Sequence, residues 1–570
     1  MSIRENLLYS LGAALVPGMS AVGQQPADGR PNILLIVVDD MGYSDIAPFG
    51  GEIRTPNLDS LAARGVRSTN FHTSSLSAPT RAMLLTGVDN HRNGLGAMPP
   101  LHAENQYGRP GYEGYLNDRV RTLPEVLRDN GYYTCMAGKW HLGALPGQWP
   151  SDRGFTNSLA LAGGGAGHFA DSFALCDAEK PVTFYVEDGK KTDTLPDDFY
   201  STRSYADKMI EYIRHRPAGK PFFGYLAFTA PHDPLQVIDG WEDKYTGEYD
   251  CGYDSIAARR LERQKALELV PAPIMFDDIR GHYPHWETLP QEIRKEQSRK
   301  MEIYAAMIEY VDYSIGRVIA ELKRNGTYDN TLIVFMSDNG ANPKEPSDYP
   351  GNTPEGIARS YDNRSENYGK DGSFISLGKS WAETSNTPYS YYKQTTAEGG
   401  IRVPFLISGP GIAGHRTDTE SVLHVTDVFP TMLDYAQVKR PSVHNGKELH
   451  PLYGKSMKGM LSGTERQVRS AAEAVCFEMA GCRAVIKGTW KAVSLTPPYG
   501  DGKQWKLYDL RTDPSEKKDR AADRPDILKD LTGEWERYAA SVGYIPSDGS
   551  SMLRKIGAER FYEWRKRPEN

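Results

Sequence analysis

The chain has 570 residues, of which 39% are hydrophobic, 25% charged and 10% aromatic, and its net charge is −7. That length exceeds one hydrophobic core and predicts a large domain with a smaller one, and the composition is that of a globular protein rather than a disordered one. An acidic balance without any basic run excludes a nucleic-acid partner.

In chain order, Met1-Ser2-Ile3-Arg4, an apolar stretch from Leu7 to about Val22 and polar Gly23-Gln24-Gln25-Pro26 read as a secretory signal peptide over residues 1–24, although Glu5 offsets Arg4 and Pro17 interrupts the run. This predicts an exported, periplasmic or extracellular protein. No cysteine follows the apolar run to carry a lipid, and no later stretch reaches the roughly 18 apolar residues of a membrane span. The five cysteines, at 135, 176, 251, 476 and 482, show neither CxxC spacing nor a disulfide framework, so free buried thiols are expected and no thiolate zinc site.

Asn32 to Val38 is a continuous apolar run ending in Asp39-Asp40, the pattern of a central parallel strand buried on both faces. Thr55-Pro56 opens a helix through Leu58, Leu61 and Ala62 that stops at Gly65, and Leu123-Pro124 opens another stopped by Gly131. The second leads into Tyr132-Tyr133-Thr134-Cys135-Met136-Ala137-Gly138-Lys139-Trp140-His141. Pro221 to Phe228 is a third strand, ending at Ala230-Pro231-His232. Tyr304, Ile308, Val311, Ile315, Val318 and Leu322 keep helical spacing before Asn325-Gly326. Thr331 to Ser337 is a further buried strand, ending in Asp338-Asn339. Alternating strands and helices argue for an α/β fold: a large, mostly parallel central sheet sandwiched by helices, with its site outside the carboxyl ends of the strands. Residues 341–389, rich in Gly, Asn, Ser, Pro and Tyr, read as an active-site wall. Beyond about Gly446, short strands and a helix from about Pro525 to Tyr538 indicate a smaller α+β domain with an antiparallel sheet. The expected units are 30–445 and 446–555.

The polar strand endings carry the chemistry. Asp39, Asp40, Asp338 and Asn339 form an all-oxygen set suited to a hard cation such as Ca²⁺ or Mg²⁺, and carboxylates so clustered call for a compensating charge. One such pair alone reads rather as a cap after its strand, and it is two such endings in one sheet that favour the cation. Arg81, Lys139, His141, His232 and Lys393 form a cationic set, with Lys139 and His141 two apart and so on one side of an extended chain. In Ser77-Ala78-Pro79-Thr80-Arg81 a small hydroxyl residue sits where a helix starting near Pro79 would place it at the cap, with Arg81 one turn later. A divalent ion and several cations around a small hydroxyl suit a tetrahedral oxyanion ester, sulfate or phosphate.

These motifs resemble a known family. Ser77-Ala78-Pro79-Thr80-Arg81 with Thr86-Gly87, and Gly131-Tyr132-Tyr133-Thr134 through Gly138-Lys139-Trp140-His141, resemble the two signatures of the type I, formylglycine-dependent sulfatases of the alkaline phosphatase superfamily. Phe49-Gly50-Gly51-Glu52-Ile53, Gly111-Tyr112-Glu113-Gly114 and Gly399-Gly400-Ile401-Arg402-Val403-Pro404 are most similar to the bacterial arylsulfatase branch. The resemblance runs from about Pro31 into the C-terminal domain, at Leu507-Tyr508-Asp509-Leu510 and Asp513-Pro514-Ser515-Glu516.

The resemblance implies that Ser77 is oxidised to formylglycine, whose hydrate attacks sulfur. It implies that Asp39, Asp40, Asp338, Asn339 and residue 77 hold Ca²⁺, that Arg81 steadies the hydrate and that Lys139 binds a sulfate oxygen. His232 and Lys393 would meet the departing alkoxide, and His141 would help regenerate the aldehyde. Many members carry cysteine at this position. Serine matches either the serine-type enzymes, which need a dedicated maturing enzyme, or a Cys→Ser replacement. The implied substrate is a sulfated small molecule or glycan, with an O-sulfated carbohydrate expected and a simple aryl sulfate as the alternative. His168, in Gly163-Gly164-Gly165-Ala166-Gly167-His168, and Asp233 are expected contacts for the leaving group. A phosphatase or phosphodiesterase of the superfamily has only one oxygen-rich set to work with here, and a catalytically inert carbohydrate binder would not need the full cationic set.

Overall fold

The computed structural model describes residues 29–99, 101–178, 183–192 and 194–551. The expected signal peptide lies outside the described residues.

The main sheet is built from β1 (Asn32–Val38), β2 (Val66–Ser68), β4 (Tyr133–Lys139), β5 (Asn157–Leu161), β6 (Tyr185–Glu187), β7 (Lys190–Thr192), β8 (Phe222–Ala227), β9 (Thr331–Ser337), β10 (Phe405–Ser408) and β11 (Arg416–Asp418). A separate short ladder joins β3 (Phe71–His72) to β12 (Leu423–His424). The ten strands run in the order β11-β2-β10-β9-β1-β8-β4-β5-β6-β7. The central five, β9-β1-β8-β4-β5, are all parallel, and antiparallel pairings flank them.

Residues of β1 alternate between two cores. Leu34, Ile36 and Val38 pack with Met209 and Ile213 of the Ser201–His215 helix and with Tyr304, Ile308 and Val311 of the Gln291–Arg324 helix. Ile33, Leu35 and Val37 pack with Ala78, Ala82 and Leu85 of the Ser77–Thr86 helix and with Val126 and Leu127 of the Leu123–Asp129 helix. The period-2 alternation of a strand thus separates two helical layers, and every residue of β1, β4, β8 and β9 is buried.

Register sets the site. Val38 pairs with Ser337, so Asp39 and Asp338 follow at the same level. Val37 pairs with Ala227, which also pairs with Gly138, so Lys139 emerges beside them at the same sheet edge.

After a hairpin of β13 (Val443–His444) and β14 (Lys447–Glu448) comes a four-stranded antiparallel sheet of β15 (Ala474–Met479), β16 (Cys482–Lys487), β17 (Trp490–Ser494) and β18 (Lys506–Asp509). One face carries the Pro525–Val542 helix through Leu531, Trp535, Tyr538 and Val542, and the other packs Phe477, Ala484 and Ile486 on Ile401 of the main body.

Four details differ from the sequence reading. The helix expected around Met301 begins ten residues earlier, at Gln291 behind Pro290, because its first turns are polar and partly exposed and show no apolar stripe. Ser77 is the first helical residue and Leu76 the cap. The 341–389 stretch contains short helices, Pro354–Ser360 and Lys379–Ser385. The cysteines are free as expected, but Cys176 and Cys251 are only partly buried.

Candidate active site

Ser77 opens a ten-residue helix in which every residue is buried. Its hydroxyl donates to Asp338 Oδ2 at 2.6 Å and accepts from Arg81 Nε at 3.0 Å. One helical turn separates Ser77 from Arg81, which is what brings the guanidinium back over the hydroxyl. Arg81 also reaches Asp338 Oδ2 through Nε at 2.9 Å and Nη2 at 2.7 Å, and it donates to Tyr225 Oη at 3.3 Å.

The cations and carboxylates pair one to one. Lys139 Nζ donates to Asp39 Oδ2 at 2.5 Å, Lys393 Nζ donates to Asp40 Oδ1 at 2.7 Å, and Arg81 takes Asp338. His232 Nε2 lies 3.2 Å from Asp40 Oδ2, and its Nδ1 meets the Asp233 carbonyl oxygen at 2.9 Å. Asn339 Nδ2 donates to Asp40 Oδ1 at 2.6 Å. Asp40 and His141 both adopt left-handed backbone, at φ of 65° and 58°, where their strands end and the chain must turn sharply. Burial, with Asp338 nearby, raises the Asp39 carboxyl to about 7. Burial also pushes Asp338 upward, but Arg81 and Lys139 outweigh it and hold this carboxyl below its ordinary value. Burial, then Lys393, drives the His232 imidazole well below its usual range, so it is neutral.

Asp39 Oδ1 and Asn339 Oδ1 are buried without a hydrogen-bond partner among the described residues. Orphaned oxygens of this kind carry a desolvation cost that a cation would relieve. A cluster by proximity also forms from Asp39, Asp40 and His232, whose donor atoms lie within 4.8 Å of one another. The oxygen set fits a hard ion better than this second grouping, because a hard cation prefers carboxylate and amide oxygens to an imidazole nitrogen.

Over Ser77 opens a cavity of about 140 Å³, lined by Ser77, Lys139, His141, His232 and Lys393 at its base. Its other walls include Met98, Pro99, Leu175, Lys344, Tyr349 and Pro350. Gly164 faces His141, and a Cβ there would lie 2.7 Å from the imidazole Nε2.

His168 and Asp233, read from the sequence as contacts for the departing alcohol, do not line this cavity. His168 is fully buried, with Nδ1 against Ser201 Oγ at 2.7 Å and Nε2 against the His232 carbonyl oxygen at 3.1 Å. Asp233 Oδ2 accepts from Asn342 Nδ2 at 2.9 Å and Tyr349 Oη at 2.8 Å. Both brace the His232 loop from behind. Sequence reasoning missed Lys344 and Tyr349 individually, since nothing in an irregular stretch tells which residues face inward.

The Lys393 loop is held by the C-terminal sheet. Ser515 Oγ donates to the Pro388 carbonyl oxygen at 2.6 Å and Glu516 Oε2 accepts from the Glu398 amide at 2.7 Å. Buried Lys491 of β17 reaches Glu398 at 2.8 Å and Glu516 at 2.9 Å.

Comparison with known proteins agrees with this layout. Residues 31–438 match the family model for sulfatases, and residues 389–537 match a model described as the C-terminal part of N-sulphoglucosamine sulphohydrolase. An arylsulfatase of Klebsiella aerogenes is 44% identical over 472 residues, covering 82% of this chain and 99% of that protein. An uncharacterised sulfatase of Schizosaccharomyces pombe is 39% identical over 94% of this chain and 98% of its own length. The crystal structure of Ps i-CgsB in complex with k-i-k-neocarrahexaose is similar in fold, with a TM-score of 0.64 at 24% identity over 94% of this chain and 100% of that one. The chain therefore belongs to the sulfatase family, within the type I branch of the alkaline phosphatase superfamily, and is a sulfuric ester hydrolase.

Proposed function

We propose that this hydrolase cleaves its sulfate ester at residue 77 after the serine side chain has been oxidised from CH₂OH to an aldehyde, two hydrogens passing to an acceptor used by a maturing enzyme. The observation that carries this reading is the convergence on one hydroxyl of Arg81, Asp338 and the cavity that Lys139, His141, His232 and Lys393 line. Asp39, Asp40, Asp338, Asn339 and residue 77 would hold Ca²⁺, and the orphaned oxygens of Asp39 and Asn339 support that fit. When bound, the ion and the hydrated aldehyde supply charge neutralisation and a nucleophilic oxygen.

The chain's own residues do the rest. Arg81 fixes the oxygen of residue 77. Lys139 offers its ammonium to a sulfate oxygen. Lys393, with protons to give, and His232 stand where the alkoxide departs. His141 takes a proton from the residue 77 oxygen as sulfate leaves.

The expected exported setting suits an O-sulfated carbohydrate. The apolar walls of Met98, Pro99, Leu175 and Pro350 favour a second reading, an aryl sulfate. The test is sulfate release by protein co-expressed with a maturing enzyme, on position-defined sulfated galactose and N-acetylhexosamines beside an aryl sulfate and an aryl phosphate. Release from one sugar isomer far above the aryl ester supports the carbohydrate reading, release from the aryl ester alone supports the second, and hydrolysis of phosphate alone refutes both.

A further inference from the structure

Lys344 is the one cation in the cavity lining for which the reaction described above has no use among the described residues. It sits five residues beyond Asn339, and its ammonium lies 4.5 Å from the centroid of the Tyr349 ring. The carboxylates that act on it, Asp233 and Asp348, do so at a distance and form no ion pair with it among the described residues. Asp233 is moreover engaged by Asn342 and Tyr349. Burial, then the neighbouring Lys393, pushes the Lys344 ammonium below its ordinary pKa, as expected of a cation short of a counter-charge. A half-buried ammonium held against an aromatic face, on an otherwise apolar wall, is costly unless something negative meets it there. A cavity of about 140 Å³ compares with the roughly 150 Å³ that takes up a benzene ring. With the sulfate at the base, the ring that carries it lies along the walls that hold Lys344 and Tyr349.

We propose that Lys344 receives a second anionic group on the ring that carries the sulfate ester, so that the preferred substrates are dianions whose second charge is a carboxylate or a second sulfate. This rests on the sulfatase reading of the same site and specifies its substrate class. The ester sulfate goes to Lys139 and residue 77, while the second oxyanion forms a charge-assisted hydrogen bond with Lys344. The Tyr349 ring, fixed through its hydroxyl to Asp233, keeps the lysine from folding away.

The test uses full-length protein with unmodified Ser77, in Ca²⁺, and titrates phenyl sulfate, 3- and 4-carboxyphenyl sulfate and benzene-1,4-diol disulfate by calorimetry. Expected is a preference of about tenfold or more for at least one dianion over phenyl sulfate. The carboxylate and disulfate arms tell which oxyanion is read. In Lys344→Met that preference collapses to within about twofold, and in Lys344→Arg it is largely kept. Equal affinity for all four esters in the wild type, or a preference that survives Lys344→Met, overturns the proposal while leaving the sulfatase site standing. Absence of binding by any ester, together with no sulfate release from phenyl sulfate by the matured protein, overturns both.

Discussion

Lys393 donates to both carboxylate oxygens of Asp40, at 2.7 and 2.8 Å, across 353 positions of sequence. The same pairing, Lys139 to Asp39 and Arg81 to Asp338, gives each site carboxylate its own cation. A divalent ion would compete for oxygens these cations hold and free the ammonium groups to face a sulfate. Ca²⁺ is therefore expected to raise the melting temperature by a few degrees, corresponding to about 2.7 kcal/mol at a hundredfold excess over Kd. Asp338→Asn should abolish most of that rise. Identical melting curves in Ca²⁺ and in chelator would refute the ion site.

Protein shown by mass spectrometry to carry plain serine at 77 is expected to turn over no sulfate ester. The Ser77 hydroxyl donates to a carboxylate, but that carboxylate is shared with Arg81 and held below its ordinary pKa, which makes it a poor base. Rapid turnover by such protein would remove the need for the aldehyde.

Gly164→Ala should slow turnover by one to two orders of magnitude, about the cost of a misplacement near 1 Å. The added methyl meets the His141 ring rather than backbone, so the ring must shift while the fold stays. The check is kcat of matured protein beside its thermal melt. A loss of stability as large as the loss of rate would point to a folding defect instead.

His91 ties the main body to the C-terminal sheet, with Nδ1 3.2 Å from Asp89 Oδ1 and Nε2 2.8 Å from Glu478 Oε2. Burial pulls its pKa down, but the two carboxylates outweigh this and lift it to about 9. The folded value lies above the unfolded one, near 6.5, so the stabilisation is complete below about pH 6.5 and is lost as pH rises toward 9. Its size is on the order of 3 kcal/mol. Denaturant titrations at pH 6 and pH 9 should show this loss in the wild type and a smaller one in His91→Gln. An equal pH dependence in both proteins would rule the triad out as its source.

Much of this site could be read from strand endings. Asp39-Asp40, Lys139 and Asp338-Asn339 each follow a run of apolar residues long enough to be a buried parallel strand, and parallel strands deliver their carboxyl ends to one edge of the sheet. His168 and Asp233 could not be placed this way. Each lies in a loop where a side chain can turn toward the cavity or behind it, and that choice is made by Ser201, Asn342 and Tyr349, all remote in sequence. The same holds for Lys344, whose place in the cavity wall depends on how residues 341–389 fold back. The hairpin of β6 and β7 had a signal that went unused, since Asp188-Gly189 takes positive φ at both positions, as a two-residue hairpin turn requires.

Ser77 is 1% exposed, at the head of a buried helix, and is reached only through a cavity of about 140 Å³. No second protein can grip that side chain once the sheet and its helices have closed over it. Any enzymatic oxidation of Ser77 must reach the chain while it is still open, so folding sets a deadline. A copy that folds first is locked out of the chemistry, and the order of two events, rather than an equilibrium between them, decides the active fraction of each preparation.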